Sequence, residues 1–350
     1  MGKTGKRNEL HDLGELALIA RIRARAEQIP HPELVLGIGD DCALLRPGVG
    51  QELAVTTDLS IAGRHFRLDW HPAESVGHRT LARGLSDLAA MGARPVAAFL
   101  SLGLPATLVR KGRERTAWID RFLDGLLALA AAYDTPLAGG DLAESPLAMA
   151  DIVLTGTVPQ GKALLRSGAR PGDPIYVTGS LGGAAAGLEL MAKLARALKK
   201  SPLRKQASPP PRIPARMKTL LAPHLYPQPR IAQGLWLSGN KLATAAIDLS
   251  DGLSTDLMHL CEESRVAAEI DAAALPIHTA ATQAMALHGG ESYELLFTAA
   301  PDAAIPASIE GVAVSRIGRV VKAGPDGPRI TLRTAKGAQP LERRGWEHFS

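Results

Sequence analysis

Apolar positions along this chain change period several times. Near-helical spacing marks 13–27 (Leu13, Leu16, Ile19, Ala20 and Ile22), 73–91 (Leu81, Leu85, Leu88 and Met91 along one side) and 117–133. Short apolar runs predict strands at 52–57, 95–104, 136–138 and 150–158. Gly92 is a natural stop for the second helix, which puts Ser86 and Asp87 in its last turns. Strand, helix, strand, helix, strand, strand predicts α/β layers for 1–158.

The pattern restarts beyond 159–173, a connection carrying Lys162, Arg166, Arg170 and Pro171. Strands are predicted at 173–178, 245–249, 266–270, 293–298, 314–321 and 329–332. Residues 179–187 are glycine-rich and lead into a helix; 254–263 and 279–287 are further helices, the former capped by Ser250 or Ser254. Two domains follow, 1–158 and 159–350. Within the second, 190–223 fits no period. It carries Lys199, Lys200, Arg204 and Lys205 ahead of Ser208-Pro209-Pro210-Pro211, and predicts a solvent-exposed basic Pro-rich insertion at 195–218.

Composition narrows the setting. With 350 residues, 46% hydrophobic, the chain has enough apolar content for a full core. Cys42 and Cys261 are too few and too distant for a disulfide framework or a zinc site, so a reducing cytoplasm is expected. Residues 1–27 lack the uninterrupted apolar core of a signal peptide, and no charge-free window of about 18 apolar residues exists, so no membrane span is expected. The net charge of +5 is concentrated at Arg21, Arg23 and Arg25 and in 199–218; aromatics are 4%, too few to supply stacking platforms. An anionic phosphorylated substrate is the expected partner, not nucleic acid.

The candidate chemistry lies in acids set among small and apolar residues. GIGDDCALL holds Asp40 and Asp41; AVTTD holds Thr56, Thr57 and Asp58; LSDLAAMG holds Asp87; LAGGD holds Asp141; AIDLSDG holds Asp248 and Asp251. A single such acid is more often a turn residue or a cap. Several in apolar settings need a shared cation, and hard divalent ions prefer oxygen ligands. Magnesium bridging phosphate oxygens is the main electrostatic device of phosphoryl transfer. Neither a Walker P-loop nor the protein-kinase signatures are present. His65 in GRHF reads equally as phosphate ligand or strand end, and Arg166 as phosphate clamp or surface arginine. Glu291 follows two glycines, where backbone can approach a ligand; Trp346 reads as a lid or as an anchor for the tail.

Together these motifs, with TTDLSIAGRHF, LSDLAAMGARP, RSGARPGDPIYVTG, IDLSDGLSTDL, GGESYELLF and the terminal GWEHF, resemble the thiamine-monophosphate kinase family over most of the chain. The resemblance implies transfer of the γ-phosphoryl of ATP onto the phosphate of thiamine monophosphate. It implies a two-domain fold like that of aminoimidazole ribonucleotide synthetase, and a homodimer joined through N-terminal sheets as a barrel. It implies magnesium at Asp41, Thr56, Thr57, Asp58, Asp87, Asp141, Asp248 and Asp251, with Asp58 and Asp251 at the transferring phosphate. ATP would meet Gly140, Asp141, Arg166 and Ser250; thiamine phosphate would meet His65, Glu291 and Trp346. A substrate phosphate is already anionic, so in-line transfer needs positioning and metal charge and no strong protein base.

Three positions depart from the family pattern: Ser292 stands where Asp is usual, Gly84 where Asn is usual and Leu142 where Thr is usual. Two alternatives remain at this level. One is another ATP-dependent enzyme of the same superfamily; a selenophosphate synthetase would need a catalytic Cys near the N-terminus, and Cys42 follows the acidic pair instead. The other is a non-catalytic nucleotide-binding protein whose site has drifted.

Overall fold

The computed structural model describes residues 15–38, 42–109, 117–199, 213–325, 327 and 329–346. In the first half, α1 (Glu15–Ala26) and the paired short strands β1 (Leu34–Leu36) and β2 (Leu44–Leu45) precede β3 (Gln51–Ile61). Then come α2 (Ala73–Ala90), β4 (Arg94–Leu104), α3 (Ala106–Val109), α4 (Trp118–Ala132), β5 (Leu137–Glu144) and β6 (Met149–Pro159). The sheet order is β3-β6-β4-β5, antiparallel except for the parallel β4–β5 pair. It is an open sheet with β3 and β5 at its edges.

β3 alternates cleanly. Ala54, Thr56, Asp58 and Ser60 turn inward, while Leu53, Val55, Thr57 and Leu59 are exposed on the other face. The strand runs through Asp58 to Ile61 rather than stopping at Thr57, because the acid has partners on the inner face (below) and the ladder to β6 continues past it. GGD likewise lies inside β5 rather than beyond a short strand.

α2 is buried on most of its circumference. It packs against β3, β4, β6, α4 and elements of the second half. Its approach to α4 is permitted by a pair of glycines. A Cβ on Gly77 would lie 1.8 Å from the Phe122 carbonyl oxygen, and one on Gly125 1.8 Å from that of Glu74.

The second half contains β7 (Pro174–Thr178), α5 (Gly183–Lys199), α6 (Lys218–Leu225), α7 (Ile231–Asn240), β8 (Ala243–Asp248) and α8 (Leu253–Glu263). β9 (Ala267–Asp271), α9 (Gln283–His288), β10 (Leu295–Ala299), β11 (Ser308–Ile309), β12 (Val312–Val321), β13 (Ile330–Thr334) and β14 (Gly337–Pro340) complete it. The sheet runs β14-β13-β9-β12-β7-β10-β8, with β11 paired to β12, and only β13–β9 is parallel. Helices and sheets are therefore layered as the α/β (α+β) reading expects, with mostly antiparallel pairing. β8 and β10 join the halves: Ala246, Leu295 and Phe297 enter the core around α2 and α4, while Ile247 and Leu296 enter a second core with Leu257 and Leu260 of α8.

Four local expectations change. The 190–223 stretch is regular at both ends, since α5 reaches Lys199 and α6 starts at Lys218; Met191, Leu221 and Leu225 form a small buried cluster of their own. The proline run lies outside the described residues. α7 has no counterpart in the sequence periodicity. α8 is capped by neither serine: Gly252 is its N-cap, and the Asp256 carboxylate accepts the N–H groups of Asp251 (3.1 Å) and Gly252 (2.9 Å). α9 starts at Gln283, where the Thr282 hydroxyl accepts from Met285 N–H. Among the described residues, no helix is long and apolar enough to cross a membrane.

Candidate active site

The inner faces of β3, α2 and β8 converge on one group of acids. Thr56 donates its hydroxyl to Asp87 Oδ2. Ser86, one position earlier on α2, donates to Asp248 Oδ2 at 2.7 Å. Arg83, one turn earlier, places Nε at 3.2 Å and Nη2 at 3.0 Å from Asp58 Oδ1. Arg79, a further turn back, bonds Glu291 of the second half. Positions 79, 83, 86 and 87 share one face by helical spacing, so α2 presents a polar edge to the β8 end of the other sheet.

Burial governs the electrostatics. It pushes the Asp87 and Asp248 carboxyls above the usual range, and the Asp58 charge adds to both; Asp87 further raises Asp248. The Thr56 and Ser86 hydroxyls and the Arg166 guanidinium pull the other way. Asp256 is raised by burial, then by Asp248 and Asp251. Crowded carboxylate oxygens whose charged form is disfavoured by burial and by one another are the donor chemistry a hard divalent cation relieves. Among the described residues no three His, Cys, Asp or Glu are already grouped around a single ion position.

The other expected residues fall as follows. Asp251 and Ser250 lie on the turn after β8, where the Ser250 carbonyl accepts Glu291 N–H at 2.7 Å. Glu291 (φ +61°) and Tyr293 (φ +51°) both hold left-handed backbone, which costs free energy in non-glycine residues and clusters at functional sites. Trp346 reaches the same turn, its N–H donating to the Asp251 carbonyl at 3.1 Å. Arg166 is exposed and close enough for its charge to act on Asp87 and Asp248. His65 sits in the turn after β3, its Nδ1 accepting Ile61 N–H at 3.0 Å. Asp41 lies outside the described residues.

Thr57 and Asp141 are placed elsewhere. Asp141 pairs across with Ser101, Ser101 with Asp151 and Asp151 with Leu59, which puts Asp141 on the outward face shared by Thr57. Gly140, beside it, has φ +149°, and a Cβ there would lie 1.9 Å from the Leu100 carbonyl oxygen. Both line a cavity of about 760 Å³ with Ile19, Ile38, Phe99 and Leu142. One chain thus brings together Thr56, Asp58, Asp87, Asp248, Asp251, Ser250, Glu291, Arg166 and Trp346, and sets Thr57, Gly140 and Asp141 apart.

Sequence reading missed Arg79, Arg83, Asp256, Tyr293, His71 and His224. The first two carried a signal, being four apart on the helix and in phase with Ser86 and Asp87. The histidines carried none, since their contact spans 153 positions.

Comparison with known proteins places the chain in a family. The family described as AIR synthase related protein, N-terminal domain, matches residues 39–158, and AIR synthase related protein, C-terminal domain, matches 170–330. The thiamine-monophosphate kinase of Escherichia coli K12 is 44% identical over 295 residues, covering 81% of this chain and 82% of that protein. The crystal structure of thiamine-monophosphate kinase from Stenotrophomonas maltophilia K279a is 39% identical, with TM-score 0.75 over 91% of this chain and 96% of that one. A structure of AaThiL complexed with AMPPCP and TMP is 29% identical, with TM-score 0.71 over 97% and 98% of the two chains. On identity and coverage together, the chain belongs to the thiamine-monophosphate kinase family.

Proposed function

We propose that this chain phosphorylates thiamine monophosphate with ATP, giving thiamine diphosphate by direct in-line transfer. The observation that carries the reading is the convergence of the Asp58, Asp87 and Asp248 carboxylates from three elements onto one largely buried cluster edged by Arg83, in a member of this family. Asp58, Asp87 and Asp248, with Thr56 and with Asp251 on the adjoining turn, are the residues that would hold magnesium. Bound magnesium would supply charge against the polyphosphate. The chain's own contribution is positioning: the Thr56 and Ser86 hydroxyls fix the carboxylate rotamers, Arg83 fixes Asp58, and Arg166 supplies a fixed positive charge beside the cluster. Asp58 and Asp251 are the two acids assigned to the transferring phosphate.

ATP is assigned to Gly140, Asp141, Arg166 and Ser250; the 760 Å³ cavity beside Gly140 and Asp141 has room for a nucleotide. Thiamine phosphate is assigned to His65, Glu291 and Trp346. Further magnesium ligands are Asp41, Thr57 and Asp141. The domain division is placed at 158/159, the first part holding metal and nucleotide and the second completing the site. A homodimer is supported by the exposed apolar residues of edge strand β3, and a cytoplasmic setting by the two unpaired cysteines.

The test is to incubate the protein with ATP, magnesium and thiamine monophosphate and follow thiamine diphosphate. Product from this substrate and none from free thiamine is expected. Tight ATP binding with no turnover of thiamine monophosphate would instead favour the drifted-site reading.

A further inference from the structure

Around Glu291 the interior holds three nitrogens buried without hydrogen-bond partners among the described residues: Nε and Nη1 of Arg79, and Nδ1 of His224. Buried polar groups are rarely left this way, and a cluster of them asks for an explanation. Their common neighbour is the Glu291 carboxylate. Arg79 Nη2 bonds Oε1, and His224 Nδ1 stands 3.6 Å from Oε2. That separation is too long for a hydrogen bond and closes with a small side-chain rotation.

Which proton His224 carries can be worked out from the backbone. The Arg67 carbonyl already accepts the N–H groups of Trp70 (3.1 Å) and His71 (2.9 Å). The Arg67 N–H points at His71 Nδ1, 3.0 Å away. His71 Nδ1 is therefore the acceptor, although it also lies 3.2 Å from that carbonyl, and the ring proton sits on Nε2. His71 Nε2 meets His224 Nε2 at 3.0 Å. His224 Nε2 must accept, so its own proton sits on Nδ1 and is aimed at Glu291. Both rings are neutral: burial pushes His71 down to about 3 and His224 well below its ordinary value, and the Arg79 charge adds to each.

We propose that Arg79 and the Nδ1–H of His224 form a two-armed clamp that positions the Glu291 carboxylate for the amino-bearing ring of the substrate. The clamp crosses the molecule, with Arg79 and His71 from the first half and His224 and Glu291 from the second. Arg79 occupies Oε1. Oε2 is left as the acceptor for a ligand N–H, such as the amino group of an aminopyrimidine, and has a second lone pair for His224 when the carboxylate settles. Arg79 and His224 are positioning residues; only Glu291 touches the ligand. The inference rests on Glu291 being a substrate residue, as proposed above.

Two measurements on the full chain test it. Nitrogen-15 histidine NMR of the wild-type protein should show His71 protonated at Nε2 and His224 at Nδ1, both neutral at pH 7; the opposite tautomer at His224 overturns the clamp. Steady-state kinetics then separates positioning from general damage. His224→Gln, whose amide reaches the Nε2 position, should raise KM for thiamine monophosphate about tenfold, the scale of a hydrogen bond to a charged group. KM for ATP should stay unchanged and kcat should fall little. His224→Asn, whose amide falls near Nδ1, should recover most of that loss. Equal losses in both variants, or a matching rise in KM for ATP, would reduce His224 to packing. The NMR arm needs no variant to fold. A wild-type protein making no thiamine diphosphate would sink the functional reading and leave the tautomer assignment standing.

Discussion

Arg83 meets Asp58 at Oδ1, and the Asp58 charge adds to the burial that raises the Asp87 and Asp248 carboxyls. Asp58→Asn removes that charge and keeps the shape. Turnover should fall about 100-fold or more, the scale seen when one transition-state electrostatic partner is lost, while the circular-dichroism spectrum stays native. Near-wild-type kcat would remove Asp58 from the transferring phosphate. Ser292, partly exposed beside Glu291, is a second residue-scale case. Ser292→Asp restores the acid usual in the family, and activity on thiamine monophosphate should be equal or higher; a clear loss would show a pocket rebuilt around serine. The buried histidines give a third. Their folded pKa values lie below the unfolded value of 6.5. The unfolded chain therefore takes up protons first as pH falls, and the stabilisation present above 6.5 is lost toward about 3 for His71. Well below 6.5 each histidine should cost about 1.4 kcal/mol per pH unit. Urea unfolding at pH 7.5 and at pH 5 should show the stability gap between wild type and His71→Asn narrowing with acid; a constant gap would mean that His71 is accessible to protons in the native state.

At the scale of elements, α2 is the beam on which the site hangs. Arg79, Arg83, Ser86 and Asp87 all ride on it, and its height is set by glycines on the helices it touches. Gly77→Ala would drive a methyl into the Phe122 carbonyl, and Gly125→Ala would do the same at Glu74. Either should cost about 1–3 kcal/mol by overpacking and lower kcat/KM, because α2 must shift to relieve the clash. A variant with wild-type melting and kinetics would mean that the helices separate freely. α4 and β3 were legible in the sequence because each buries one face and exposes the other, and α2 because Leu81, Leu85 and Leu88 keep helical spacing even though most of its circumference is buried. α7 was not: its sequence IAQGLWLSGN packs on α2 through Gly234, where a Cβ would meet the Ala89 carbonyl oxygen at 2.0 Å, and its buried face pairs only Ile231 and Leu237 with Gly234 and the polar Gln233. The acids were legible as motifs, since each is flanked by small or apolar residues, whether inside a strand (Asp58, Asp141), inside α2 (Asp87) or around the end of β8 (Asp248, Asp251). The cations that hold them were not. Arg79 and Glu291 are 212 positions apart, and nothing local to either marks the pairing.

At the scale of the whole molecule, the outward face of the first sheet is the largest open question for one chain. β3 is an 11-residue edge strand whose outward residues Leu53, Val55 and Leu59 are 45%, 59% and 46% exposed. Apolar residues along an exposed edge mark a protein interface or an aggregation hazard. A four-stranded open sheet cannot close on itself, and a second copy supplies the strands a barrel requires. In the proposed dimer this face is covered, and Val55→Asp should move the protein to monomer in sedimentation velocity, since a charge without a partner is costly to bury. The same face bears Thr57 and Asp141, two of the three assigned residues that stand apart from the inner acid cluster. Their separation within one chain has a simple account if nucleotide binding depends on the covered face. Val55→Asp should then raise KM for ATP more than KM for thiamine monophosphate, because Glu291 and its clamp lie in the other half. A monomeric Val55→Asp protein with unchanged KM for ATP would detach Asp141 from the interface. A wild-type chain that sediments as a monomer would leave the leucines and Val55 of β3 without an explanation.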